Sequence, residues 1–254
     1  MTTTRQHNYD EDKIKSLSSL EHIRKRTGMY IGRVGDGSDY DDGIYILLKE
    51  IVDNAVDEYI MGYGERIAIN LNGSTVTVRD YGRGIPLGKV VECVSRINTG
   101  AKYSDEVFQF SVGLNGIGTK AVNALSQNFE VRSYRNGEFA GAIFAKGKLV
   151  EQPKGKKTDE PDGTFVNFEP DPEIFGSVSF NAEHVERRLR LYSFLNAGLR
   201  IEYNGRLFLS RNGLLDLLRD EVGDEALYPP LYYHSKTLEL AITHTQRFEE
   251  TFLS

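Results

Sequence analysis

Residues 41–62, Asp-Asp-Gly-Ile-Tyr-Ile-Leu-Leu-Lys-Glu-Ile-Val-Asp-Asn-Ala-Val-Asp-Glu-Tyr-Ile-Met-Gly, read as one long helix. Asp41 and Asp42 suit the positive end of its dipole, and Gly62 suits its end. With Glu50 at zero and a step of about 100° per residue, Asn54 falls at about 40°, Asp57 at about −20° and Met61 at about 20°. Leu48, Ile51, Val52, Ala55 and Tyr59 fall on the other side. One face therefore packs on a neighbour, and the other carries Glu, Asn and Asp in a row. A solvated acidic stripe fits that pattern as well as a chemical one.

The flanking sequence sets the fold class. Residues 66–71 and 75–80 alternate apolar and polar around Asn72-Gly73, a hairpin pattern. The pattern returns at 129–134 and 138–145 around Asn136-Gly137, and at 200–203 and 206–209 around Asn204-Gly205. Residues 164–168 read as a further strand. Helical periodicity covers 17–26, 89–97, 119–126 and 182–196, the last stopped near Gly198. Residues 98–118 are a glycine-rich loop, and 151–163 a charged one. After Gly213 come a helix at 214–221 and strand-like stretches near 238–243 and 249–253. Hairpins interleaved with helices predict an α+β sandwich with a mostly antiparallel sheet, not a doubly wound parallel one.

Composition narrows the function classes. The 254 residues are 39% hydrophobic and 27% charged, the balance of an ordinary globular protein. No apolar run approaches the roughly 18 residues that span a bilayer. The polar N-terminus carries no signal-peptide pattern, and the single cysteine, Cys93, fits a reducing compartment, so a cytoplasmic protein with no membrane partner is expected. Cys93 lies in the apolar pattern of Val90, Val91 and Val94 and reads as a core thiol. The five histidines have no zinc spacing. A net charge of −6 argues against this segment as a main DNA-binding surface.

Four features carry chemistry. On the long helix, Glu50 could take a proton from water, and Asn54, one turn on, could give an amide oxygen to Mg²⁺, which prefers oxygen ligands and binds largely through substrate phosphates. Asp80-Tyr81-Gly82-Arg83-Gly84-Ile85-Pro86 ends a strand. Its ionised Asp80 could accept a hydrogen bond from an exocyclic amine such as adenine's, with the backbone approaching a flat base closely. A simple turn fits too. Gly113-Leu114-Asn115-Gly116-Ile117-Gly118-Thr119-Lys120 runs into a helix, where backbone N–H groups attract anions. Its spacing is neither a Walker A loop nor a dinucleotide fingerprint. Asp162-Gly163-Thr164 opens an apolar strand and could place a hydroxyl near a buried polar ligand, or simply turn the chain.

Taken in order, these boxes resemble the GHKL ATPase superfamily of gyrases, heat-shock chaperones, histidine kinases and MutL-type repair proteins. The resemblance is closer to bacterial type IIA topoisomerase B subunits and covers nearly the whole chain from Tyr9. Arg24-Lys25-Arg26-Thr27-Gly28-Met29-Tyr30-Ile31-Gly32 looks like their RKRPGMYIG, with Thr27 where Pro is usual. Residues 122–126 are similar to VNALS, and 189–196 to the RELSFLN helix. The stretch 111–126 looks more like topoisomerase IV than gyrase.

The resemblance implies a GHKL (Bergerat) two-layer sandwich over residues 17–212, preceded by a dimerisation arm, 1–16, and followed by the start of a transducer domain, 213–254. It implies ATP and Mg²⁺ as ligands, Glu50 as general base and Asn54 as the Mg²⁺ ligand. Asp80, directly and through a bound water, would hold the adenine amine with help from Thr164. Asp57 and Arg83 would border the pocket, Glu58 would pair with Arg83, and Gly84, Ile85 and Pro86 would line the base site. Lys102, Gly113, Leu114, Asn115, Gly116, Ile117 and Gly118 would hold phosphates within a lid at 99–118, and Tyr9 would reach into a partner's site. The implied partners are a topoisomerase A-type subunit, DNA through other domains, a second copy of the B-type chain on ATP binding, and ATP-competitive inhibitors in the pocket.

Departures are visible. Asn115 replaces a usual lid His, Phe108 a frequent Tyr, and Gly141 falls where many relatives have a rim Arg. The family's γ-phosphate lysine lies beyond Ser254, so this chain is expected to bind nucleotide with weak turnover. A gyrase B-type chain is the first alternative. A histidine kinase would lack a Glu one turn before the Asn. A nucleotide-gated dimerisation module would bind without hydrolysing.

Overall fold

The computed structural model describes residues 17–97, 99, 116–155, 157–235 and 238–247. Chain order runs α1 (Ser19–Lys25), α2 (Gly28–Ile31), α3 (Gly43–Ile60), β1 (Arg66–Asn72), β2 (Thr75–Asp80), α4 (Val90–Ser95), α5 (Gly118–Leu125), β3 (Ser126–Arg135), β4 (Glu138–Ala145), β5 (Lys148–Glu151), β6 (Lys154–Gly155), β7 (Gly163–Pro170), α6 (Pro172–Phe175), α7 (Ala182–Leu195), β8 (Arg200–Tyr203), β9 (Arg206–Phe208), α8 (Leu214–Val222), β10 (Leu231–His234) and β11 (Glu239–Ile242). Among the described residues, nine strands form one sheet in the order β5-β4-β3-β7-β2-β1-β8-β9, with β6 also on β4, and β10-β11 make a separate pair. The β1–β8 pair is parallel and every other pairing is antiparallel. The α+β class with a mostly antiparallel sheet is what the hairpin pattern predicts.

Register shows where the core stops and polar chemistry starts. On the buried face of the sheet, Val76, Phe168, Phe129 and Phe144 line up across four strands. The next row is Ile69, Val78, Val166, Val131 and Ala142. One step further, Ile67 pairs with Asp80, and Ser133 pairs with both Thr164 and Ala140. Alternation puts all three rows on one face. The face is thus aromatic, then aliphatic, then polar at one end. Helices α3, α4, α5 and α7 pack on the strands. Helix α3 carries Ile44, Leu47, Leu48, Ile51, Val52 and Ala55 into the core.

Local rules account for most boundaries. Ser18 and Glu21 form a capping box at α1, and Asn181 caps α7 through the Glu183 amide. Asn136-Gly137 and Asn204-Gly205 both have positive φ, as tight hairpin turns of the primed type require.

Several expectations are corrected. The β1–β2 turn is Gly73-Ser74, since Asn72 pairs with Thr75. Gly73, at φ 61°, alone takes the left-handed position. A third such hairpin turns at Lys146-Gly147, where Ala145 pairs with Lys148. The charged loop expected from 151 onward therefore begins inside β5 and contains β6. Both strands lie on the sheet's outer margin, where exposed lysines mask the alternation. The helix expected at 89–97 is a 3-10 turn, Leu87–Lys89, followed by α4. Asp42 precedes α3 without capping it; its Oδ2 instead accepts from the Gly37 and Asp39 amides at 3.0 and 3.1 Å. Cys93 is half-buried rather than fully in the core, and burial pushes its thiol up. The stretch at 249–253 lies outside the described residues.

Phe168 is central to the aromatic row and 1% exposed. Phe168→Ala is expected to cost about 3–5 kcal/mol, read as a lower urea midpoint at unchanged m-value.

Candidate functional site

The polar row meets the polar face of α3. Asp80 ends β2 at 7% exposure. Its Oδ1 accepts from the Gly82 amide at 2.9 Å and from the Thr164 amide at 3.0 Å. Burial pushes its pKa up to about 6, against the pull of those two amides and of Arg79 and with a further push from the Glu58 charge. The turn after β2 and the start of β7 thus converge on one carboxylate oxygen.

The segment after Asp80 is fastened to its surroundings. Arg83 makes a two-pronged pair with Glu58, Nε to Oε2 at 3.0 Å and Nη2 to Oε1 at 2.9 Å, and its backbone amide donates to Oε2 at 2.8 Å. The predicted Glu58–Arg83 pair is therefore present. The Tyr63 ring lies under the Arg83 guanidinium at 4.3 Å. Gly84 has φ 70°, and a Cβ there would come within 2.8 Å of Ser133 Oγ and the Tyr134 carbonyl, so this position accepts only glycine. Ser133 Oγ donates to the Ile85 carbonyl at 2.6 Å, and Arg135 to the Gly84 carbonyl at 3.3 Å. Pro86 leads into the 3-10 turn.

Helix α3 brings Glu50 and Asn54 to the start of α5. A Cβ on Gly118 would sit 1.8 Å from Glu50 Oε2, so the carboxylate lies directly against the first residue of α5. That is the positive end of a helix dipole. The Asn54 amide donates to the Glu50 carbonyl at 2.6 Å and to Thr119 Oγ1 at 3.0 Å. These bonds hold its NH₂ end and turn its oxygen away from both partners. Asp57, one turn on, is 1% exposed. The row read as a possible solvated stripe is thus buried or half-buried along its working length.

Glu50, Asn54, Asp57, Asp80, Arg83, Gly84, Ile85, Pro86, Thr164, Gly116, Ile117 and Gly118 are described, and they lie on or beside α3, the β2 end, the β7 start and the α5 start. Tyr9, Lys102, Gly113, Leu114 and Asn115, with nearly all of the lid, lie outside the described residues. Sequence reading missed Ser133, Arg135 and Tyr63, and gave Thr119, within the Gly113–Lys120 stretch, no contact of its own. Ser133 had one signal, a polar residue at a buried position of an alternating strand.

Residues 39–174 match the family model of the histidine kinase-, DNA gyrase B- and HSP90-like ATPases. The chain belongs to this ATPase family. It is 60% identical over 248 residues to the B-type chain of DNA topoisomerase 4 from Borreliella burgdorferi, covering 97% of this chain and 41% of that protein. To the B-type chain of DNA gyrase from Thermus thermophilus it is 34% identical, covering 97% and 42%. The chain thus spans about two fifths of the length of these relatives. A solved structure, the 43K ATPase domain of Thermus thermophilus gyrase B in complex with an aminocoumarin, is similar with a TM-score of 0.73 and 31% identity, over 92% of this chain and 64% of that one. The ATPase family implies a nucleotide ligand. Among the described residues, no helix is long and apolar enough to cross a membrane.

In this ATPase domain, Asp80 ionises less readily folded than unfolded, where its value is near 3.8. The folded chain therefore holds the proton more tightly, and stability falls as pH rises from about 4 through about 6. Asp80→Asn, which keeps an acceptor oxygen, is expected to gain stability over the parent across that window, by up to about 3 kcal/mol. Paired urea titrations at pH 5 and pH 7.5 would measure this; an unchanging difference between the two proteins would refute it.

Proposed function

We propose that this chain binds ATP with Mg²⁺ and hydrolyses it, as the ATPase part of the B-type chain of a type IIA DNA topoisomerase, of topoisomerase IV rather than gyrase. The observation that carries this reading is the placement of Glu50 and Asn54, one turn apart, against Gly118 and Thr119 at the start of α5. Phosphates drawn to that helix start would lie beside a carboxylate and an amide oxygen. The 60% identity to a topoisomerase 4 relative, against 34% to a gyrase relative, supports the choice within the class.

Each residue then has a task. Glu50 takes the proton of the attacking water as the new O–P bond forms and the terminal phosphoryl group leaves ADP. Asn54 offers its amide oxygen to Mg²⁺. Among the described residues no cluster of three or more His, Cys, Asp or Glu could hold a metal, so a cation here would complete its shell from phosphate oxygens and water. Bound, Mg²⁺ would neutralise charge developing on the phosphates. Asp80 would meet the adenine amine and a bound water through Oδ2, beside Thr164, a reading supported by both amide bonds falling on Oδ1. Asp57, Arg83, Gly84, Ile85 and Pro86 border the base. Lys102 and residues 113–118 hold phosphates as the lid, and Tyr9 in the arm at 1–16 completes a partner's pocket.

On this reading, residues 17–212 are the ATPase domain and 213–254 begin a transducer. ATP binding pairs two copies of the chain. An A-type subunit and other domains engage DNA, and strand passage follows clamp closure. The aminocoumarin complex of the gyrase B relative supports a pocket open to ATP-competitive inhibitors.

In the full-length protein, Glu50→Ala is expected to lower ATP turnover about 100-fold or more while ATP affinity stays within about twofold. Unchanged turnover would overturn the base assignment. With its A-type partner the parent protein should decatenate and relax DNA; ATP-driven supercoiling would reassign it to gyrase.

A further inference from the structure

Helix α3 is held on a second flank, away from α5. Its residues Tyr45 and Asp53 meet His184, Arg188 and Tyr192 of α7, which are spaced four apart. Tyr45 and His184 rings meet edge-on at 5.5 Å, and Arg188 reaches the Tyr45 carbonyl at 3.5 Å. At the end of the row the Tyr192 hydroxyl donates to Asp53 Oδ1, while Lys49 pairs with Asp53 Oδ2. Asp53 is 2% exposed. A buried carboxylate with both oxygens engaged resists displacement, since moving it would strand a charge.

Asp53 and Asn54 lie on opposite sides of Glu50 around the helix, at about −60° and about 40°. Asn54 is tied to Thr119 of α5, and Asp53 to Tyr192 of α7. Turning α3 about its axis, which would swing the Glu50 carboxylate, strains one tie or the other. In the RELSFLN pattern that this part of α7 resembles, the position of Tyr192 is Leu, so the hydroxyl tie is not part of that pattern.

We propose that Tyr192 is a positioning residue for ATP hydrolysis, fixing the rotation of α3, and so the aim of Glu50, through its hydroxyl bond to Asp53. This rests on the role proposed for Glu50. Burial first, then the charges of Asp53 and Glu50, push the phenol well above its ordinary value, so it stays a donor at working pH.

The test uses the full-length protein. Tyr192→Phe should lower kcat about tenfold or more, with KM for ATP within about twofold, because a small misalignment of a base slows chemistry without weakening binding. Asp53→Asn should do the same, and the double variant should be no slower than Asp53→Asn alone. Leu189→Val, which thins the core contact of the same helix, should lower Tm while leaving kcat at the parent level. Unchanged kcat in Tyr192→Phe, additive losses in the double variant, or an equal kcat loss in Leu189→Val would each overturn the proposal. Glu50→Ala, run alongside, separates the two readings: if it turns over ATP like the parent, the base assignment itself fails and Tyr192 has nothing to aim.

Discussion

A carboxylate taken out of water must be met by donors, and at Asp80 the donors come from two different parts of the backbone. One is the turn that follows β2, the other the first residues of β7. Their common acceptor therefore fixes the end of one central strand against the start of its neighbour. The rest of the site is laid out from that joint. The turn leads directly to Arg83, whose backbone amide and guanidinium both seek Glu58 near the end of α3. Helix α3 in turn presents Asn54 and Glu50, about one and two turns upstream of Glu58. A single buried oxygen thus links sheet and loop, and Arg83 ties that loop to the helix, at the polar end of an otherwise apolar face.

The sheet makes this arrangement possible. Rows of aromatic and aliphatic residues bind the helical layer to the middle of the strands, where burial contributes roughly 25 cal/mol for each Å² of apolar surface. Polar residues at the end of the rows would weaken such a layer if placed centrally. Confined to one margin, they leave a polar edge beside the packed rows. Ser133 shows how it is finished: its hydroxyl meets the Ile85 carbonyl, which no strand pairs, so the loop stays against the sheet.

How much of this was legible follows from sequence distance. Hairpins at Asn136-Gly137 and Asn204-Gly205 could be read because two adjacent residues with positive φ have a narrow residue preference. Lys146-Gly147 makes the same turn with a lysine in the first place and passed unnoticed. Glu50, Asn54, Asp80 and Thr164 stood out through the order of their boxes. Their supports did not. Thr119 is 65 residues from Asn54, Ser133 is 48 from Ile85, and Tyr192 is 139 from Asp53. Such pairs are joined by topology, and no local pattern marks them. The helix of residues 43–60 illustrates both cases: its apolar stripe was plain, whereas the burial of Asp53 and Asp57 depends on what packs beside it.

Electrostatics ties Arg83 and Glu58 to Asp80. Glu58 is mostly buried, with 16% of its side chain exposed, and its charge raises the proton affinity of Asp80. Arg83 takes both Glu58 oxygens, while the Tyr63 ring backs the guanidinium. Removing Arg83 would leave an uncompensated carboxylate beside Asp80, and two nearby like charges ionise less readily together than apart. Arg83 therefore does more than border the site. By pairing with both Glu58 oxygens it offsets part of the charge that raises the proton affinity of Asp80.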